Sequence, residues 1–295
     1  MPSRVRAGQD GWVRPLISTA ELADQLASAL PPVVVDVRWK LGGPPGRLDY
    51  EKGHLPGAVF LDLDTELAAR PGAGGRHPLP DPADLQRALR AAGVLAEHPV
   101  VVYDAADGSV ASRAWWLLRW SGHQEVAVLD GGYAAWLDEG KEVSTEPADP
   151  EPGDIEVRPG GMPVLDANEA ARLAREGILL DARAPERYRG DVEPIDPRGG
   201  HIPGARNAPF AGHLGDDARW RTPAALAERF RQIGVQAGEP VGAYCGSGVT
   251  ASSVVLALEA AGLTTANLPA ALYAGSWSHW CVDESRPVAT GAEPG

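Results

Sequence analysis

The stretch PVGAYCGSGVTAS at residues 240–252 aligns with PVVVYDAADGSVAS at residues 99–112, and this correspondence decides the fold. Each begins as an apolar run of the kind a fully buried strand requires, then enters a glycine-bearing turn that opens a helix of small residues. Working outward, the flanking elements recur in the same order. STAELADQLASAL at 18–30 places Ser18 and Glu21 at capping-box spacing, and DANEAARLARE at 166–176 repeats this with Asp166 and Glu169, closed by Gly177. VVVDVR at 33–38 and ILLDAR at 178–183 are short buried strands ending in Asp-x-Arg. A loop then carries GHLPGA at 53–58 in one half and GHIPGA at 200–205 in the other. The helices DPADLQRALRAAG at 81–93 and TPAALAERFRQIG at 222–234 both have proline at the first helical position and glycine at the end.

Strands alternating with helices predict an α/β fold: two tandem duplicated domains, each a mainly parallel sheet flanked by helices on both faces. A chain of 295 residues suits two domains of ordinary size. The repeat limits place the first at 15–142 and the second at 164–290. The tract between, 143–163, is rich in Pro, Glu and Gly without amphipathic period and is expected to be an ordered, extended linker.

Composition narrows the function classes. A net charge of −13 argues against nucleic-acid partners, which need clustered Lys and Arg. No apolar run approaches the ~20 residues of a membrane span, and MPSRVRAGQDGWVRP lacks the apolar core of a secretion signal, so a cytoplasmic protein is expected. Two cysteines, Cys245 and Cys281, form no disulfide framework and stay thiols in a reducing compartment. Against the acidic background, Arg183, Arg187, Arg189, Arg198 and Arg206 cluster in one stretch, as a small anionic substrate would require.

The alignment puts Asp104 where Cys245 stands, so only the second copy carries a nucleophile. Gly246 and Gly248 permit a tight turn with inward amides, and a helix expected over 249–261 has its N-terminus at the thiol; both favour an anion at sulfur. Cys281 lacks such a turn and reads as structural. No zinc-ligand spacing, dinucleotide fingerprint or phosphatase-type arginine after the cysteine accompanies the loop, so neither metal nor cofactor is expected.

Together, the duplicated GH(I/L)PGA signatures, the Asp-x-Arg strand ends, the Cys245 loop and the terminal GSWSHW resemble the two-domain rhodanese family of sulfurtransferases across roughly residues 17–288. The loop Cys-Gly-Ser-Gly-Val-Thr at 245–250 is similar to that of members using 3-mercaptopyruvate, whereas thiosulfate-preferring members carry Cys-Arg-Lys-Gly-Val-Thr. The resemblance implies a ping-pong cycle through a Cys245 persulfide, with cyanide or a thiol such as thioredoxin as acceptor. Amides of Gly246, Gly248, Val249 and Thr250 would cradle the sulfur anion. By position, Arg187 and Arg198 would hold the donor's carboxylate and keto oxygens, although the segment 190–199 is about two residues longer than the family pattern. Ser247 with His54 and an acid, assigned to Asp49, would manage the leaving enolate. His201, in the repeated motif, is expected to serve the fold. A monomer is expected, since one chain supplies both halves of a pseudo-symmetric pair. The alternatives are thiosulfate as donor, a non-catalytic sulfur carrier, and a phosphatase or arsenate reductase on a similar scaffold.

Overall fold

The computed structural model describes residues 14–265 and 267–295; most of the N-terminal stretch read above for a secretion signal lies outside the described residues. The described chain divides into two compact units. The first comprises residues 14–67, Pro80–Gly161 and Asp216–Trp220; the second comprises Ala68–Leu79, Met162–Gly215 and Arg221–Gly295.

In the first unit the elements run β1 (Leu16–Ile17), α1 (Thr19–Leu26), β2 (Val33–Asp36), α2 (Arg47–Lys52), β3 (Val59–Phe60), α3 (Pro82–Ala91), β4 (Val100–Tyr103), α4 (Ala111–Trp120), β5 (Val126–Leu129) and α5 (Gly132–Asp138). All five strands pair in parallel in the order β1-β5-β4-β2-β3. The second unit follows with α6 (Ala167–Glu176), β6 (Ile178–Asp181), α7 (Pro185–Arg189), β7 (Arg206–Asn207), α8 (Pro223–Gln232), β8 (Val241–Tyr244), α9 (Ala251–Ala260), β9 (Ala271–Leu272) and α10 (Ser276–Trp280), its strands parallel in the order β7-β6-β8-β9. Central strands buried on both faces explain the unbroken VVVY of β4 and ILLD of β6.

The start signals act as expected. Ser18 and Asp166 each close a capping box, and Asp81 and Thr222 cap helices that begin with proline. The repetition holds to single bonds. Arg38 lies on Asp36 at 2.7 Å, and Arg183 on Asp181 at 2.6 Å, all four buried. Each arginine also donates to the carbonyl of the glycine that opens the GH motif, at Gly53 O and Gly200 O. His54 stacks on Tyr50 and His201 on Tyr188, with ring centroids 3.9 and 3.7 Å apart. These buried ion pairs and stacks are what the repeated motifs build.

The linker tract is extended and packs on the first unit. Ser144 bridges His54 antiparallel, and the amides of Gly153, Ile155, Arg158 and Gly161 donate to Arg90, Val94, Ser121 and Trp120. In the second unit the chain end lies the same way, with Ala289 bridging His201. Trp115, Trp116, Trp277 and Trp280 are fully buried core residues. Among the described residues, no helix is long and apolar enough to cross a membrane.

Candidate active site

Cys245 follows directly on β8 and is buried, 3% exposed. The amide of Gly248 donates to its Sγ at 3.1 Å. That geometry demands glycine: φ is +86°, and a Cβ at position 248 would lie 2.3 Å from the Ala274 carbonyl oxygen. The loop is fixed from the opposite side by Ser276, Trp277 and Ser278, which bond respectively to the Cys245 amide, the Cys245 carbonyl and the Gly246 carbonyl. The helix starts slightly later than the sequence suggests. Val249 and Thr250 form a tight turn whose carbonyls accept from Ser252 and Ser253, and α9 proper opens at Ala251. Thr250 makes no side-chain bond to the first turn, which leaves the positive end of the helix facing the sulfur loop.

The first unit shows what such a loop is built to hold. Asp104 stands at the corresponding point, and its carboxylate accepts from four amides: Ala106 and Gly108 on Oδ1, Val110 and Ala111 on Oδ2, at 2.9–3.2 Å. Burial nevertheless pushes its carboxyl up to about 6, with the Asp107 charge adding to it. The strand–turn–helix junction is therefore a concentrator of inward amides, and in this unit an anionic side chain fills it.

Around Cys245 the side-chain set differs from the one expected. Arg187, on α7, reaches the loop: a Cβ placed on Gly246 would lie 3.6 Å from its Nη1. The same Cβ would lie 2.9 Å from Nη2 of Arg76, which the sequence reading had not selected. Arg76 comes from Ala68–Leu79, which folds with the second unit, and its amide is pinned to Ser278 Oγ at 3.1 Å. Beside it, His77 Nδ1 and Ser247 Oγ are 2.8 Å apart, with His77 buried. Both arginines are held by acids. Glu193 takes Arg187 at 2.6 Å, and Asp196 bonds Arg76 and, at 3.4 Å, Arg187. Burial works to raise Glu193, but its bonds from Arg187 and the Asp196 amide leave it below the usual glutamate range, so it stays ionised.

Three expected site residues do other work. Arg198 spends its guanidinium on backbone carbonyls of Cys281, Asp283 and Arg286, at 2.7, 2.7 and 3.3 Å, tying the end of α10 to the GH loop. His54 has both ring nitrogens on carbonyl oxygens of its own unit, Tyr50 at 2.8 Å and Glu146 at 3.0 Å, as His201 has on Tyr188 and Pro294. His54 thus has the fold role that was expected of His201. Asp49 is exposed, paired with Lys52 at 2.8 Å, and lines a cleft of about 430 Å³ over Asp104. Of the arginine cluster, Arg183 is buried in its ion pair and over Trp277, Arg189 pairs with Asp191, and Arg206 bonds the Ile233 carbonyl. Cys281 is buried, which pushes its thiol up.

The missed pair Arg76–His77 carries one local signal, the glycine turn in GGRHPLP at 74–80. Gly75 has φ +106°, and a Cβ there would lie 2.7 Å from the Gly275 carbonyl oxygen, so the turn presses against the wall of the cysteine loop.

Comparison with known proteins gives the family and the fold. The rhodanese-like domain model matches residues 18–139 and 166–283. A Pseudomonas aeruginosa protein named as a probable 3-mercaptopyruvate sulfurtransferase is 47% identical, covering 93% of this chain and 100% of its own. A Mycobacterium tuberculosis protein with the equally provisional name thiosulfate sulfurtransferase SseB is 44% identical over 94% of this chain and 97% of its own. Among solved structures, SseA from Escherichia coli, described as a 3-mercaptopyruvate sulfotransferase of the rhodanese fold, superposes with a TM-score of 0.77 at 30% identity, covering 90% of this chain and 99% of that one.

Proposed function

Because the chain belongs to the rhodanese-like domain family, we propose that it is a sulfurtransferase that carries sulfane sulfur from 3-mercaptopyruvate to a thiol or cyanide on Cys245. The Cys245 thiolate attacks the donor sulfur; the carbon–sulfur bond breaks, its electrons pass to the carbon, and the donor's thiol proton ends on that carbon. The products are pyruvate and a Cys245 persulfide anion. Cyanide then takes the outer sulfur as thiocyanate and restores the thiolate, or a thiol takes it in the same way. The Gly248 amide and the start of α9 favour the sulfur anion in both states. Arg187, with Arg76 in the place that Arg198 was expected to fill, presents planar donors to the carboxylate and keto oxygens. Ser247 and His77 are placed to pass the proton to the enolate.

The observation that carries this reading is the position of both arginine ends and the Ser247–His77 pair against one buried cysteine loop. Gly246 favours mercaptopyruvate over thiosulfate, since it leaves to Arg76 the space a side chain at 246 would take. The M. tuberculosis relative keeps thiosulfate as the second reading of the donor. The reaction fits a monomer in the reducing cytoplasm with thioredoxin as a thiol acceptor.

Mass spectrometry of the purified chain after one equivalent of 3-mercaptopyruvate tests the proposal. A gain of one sulfur, located on Cys245 and released as thiocyanate by cyanide, is expected, with Cys245→Ser showing none. Turnover retained in Cys245→Ser would remove the mechanism.

A further inference from the structure

The acid that joins the two site arginines comes from the loop that runs from α7 to the GHIPGA motif. Residues 190–199 read GDVEPIDPRG, and this loop carries Asp196 to both arginines with its side chain 4% exposed. One carboxylate oxygen takes Nη1 of Arg76 and the other takes Nη2 of Arg187 at 3.4 Å. With Nη1 so held, Nη2 of Arg76 is the atom that faces the position above Gly246. Glu193 adds a second carboxylate on Arg187 and also accepts the amides of Ile195 and Asp196, so it builds the loop that presents Asp196.

The side-chain charges around the donor position are therefore two cations, Arg76 and Arg187, and two anions, Glu193 and Asp196; Arg183, which also reaches Glu193 at 3.4 Å, is balanced by its own partner Asp181. They cancel. A site with paired guanidinium groups but no net charge still offers directional hydrogen bonds to a planar carboxylate, while it gives little reward for a second negative charge. The candidate donors differ in this respect: 3-mercaptopyruvate carries one carboxylate, and thiosulfate is a dianion.

We propose that Asp196 is a positioning and specificity-determining residue, which orients Arg76 and Arg187 toward the cysteine loop and offsets their charge so that the site discriminates against dianionic sulfur donors. The inference rests on the sulfurtransferase reading above. It acts through the arginines, since Asp196 itself would repel the donor.

The test is kcat/KM of the full-length chain and of Asp196→Asn for 3-mercaptopyruvate and for thiosulfate, with cyanide as the common acceptor, over a range of ionic strength. Asn keeps the shape and removes the charge. The ratio of thiosulfate to mercaptopyruvate efficiency is expected to rise about tenfold, the size of one uncompensated charge several ångströms away in a partly screened site. The gain should appear mainly in the thiosulfate KM and shrink as salt is added. Asp196→Glu, which restores the charge, should bring the ratio back toward that of the unaltered chain. An equal fall for both donors, or a ratio that does not move with charge or salt, overturns the proposal while Cys245 persulfide formation by the unaltered chain still stands. Failure of the unaltered chain to form that persulfide with either donor overturns the sulfurtransferase reading and this inference together.

Discussion

Asp104 sets two opposing physical effects against each other, and the stability of the protein reports which prevails. Four amide bonds favour its ionised form, whereas complete burial and the nearby Asp107 oppose it, and the balance places the carboxyl at about 6 against an ordinary 3.8. In the unfolded chain the group titrates near the ordinary value. Between pH 4 and 6 the folded state thus holds one proton more than the unfolded, and stability falls as pH rises, by ~1.4 kcal/mol per unit. The contribution is fully present below pH 3.8 and lost as pH rises through about 6. The gap of roughly two units amounts to ~3 kcal/mol, of which about 2 kcal/mol falls between pH 4.5 and 7.5. Asp104→Asn keeps the shape and abolishes the titration. Urea unfolding of both proteins across this range, followed by tryptophan fluorescence, should show an unaltered-minus-variant difference in unfolding free energy about 2 kcal/mol larger at pH 4.5 than at 7.5. A flat difference, meaning that the amides match burial, or one that grows with pH, meaning that they outweigh it, would refute the reasoning.

Other perturbations separate chemistry from architecture. His77→Gln should lower kcat with 3-mercaptopyruvate by about ten- to a hundredfold while sparing thiosulfate, whose departing sulfite needs no proton; His54→Gln should instead cost ~1–3 kcal/mol of unfolding free energy with kcat little changed. Steady-state kinetics and denaturation of the two variants side by side distinguish these roles, and equal kinetic losses would return His54 to the site. Arg198→Ala should lower stability by roughly 2–3 kcal/mol through three abandoned carbonyls, with kcat/KM altered less than about threefold, whereas Arg187→Ala should reduce kcat/KM by at least about thirtyfold.

The duplicated α/β architecture was legible because its signals are local. Capping boxes, prolines at helix starts and buried Asp-x-Arg strand ends each act within a few residues, and the chain states them twice, so each copy checks the other. The cysteine loop was legible for the same reason: the turn that brings the Gly248 amide onto the Cys245 sulfur is written in the glycines beside it, and Asp104 in the other copy marks the divergence. The side chains that close around that loop were not. His77 meets Ser247 across 170 residues of sequence, and Arg76 meets Asp196 across 120, because the segment holding both folds with the unit it does not belong to by sequence order. Arg198 and His54 hold their expected sequence positions, yet their polar atoms are taken by backbone carbonyls, a choice made by packing. A residue's type and its neighbours along the chain fix the conformation it favours and the chemistry it could perform; which groups it faces, and hence whether its hydrogen bonds are spent on the fold or left for a substrate, is decided only when distant segments close around it.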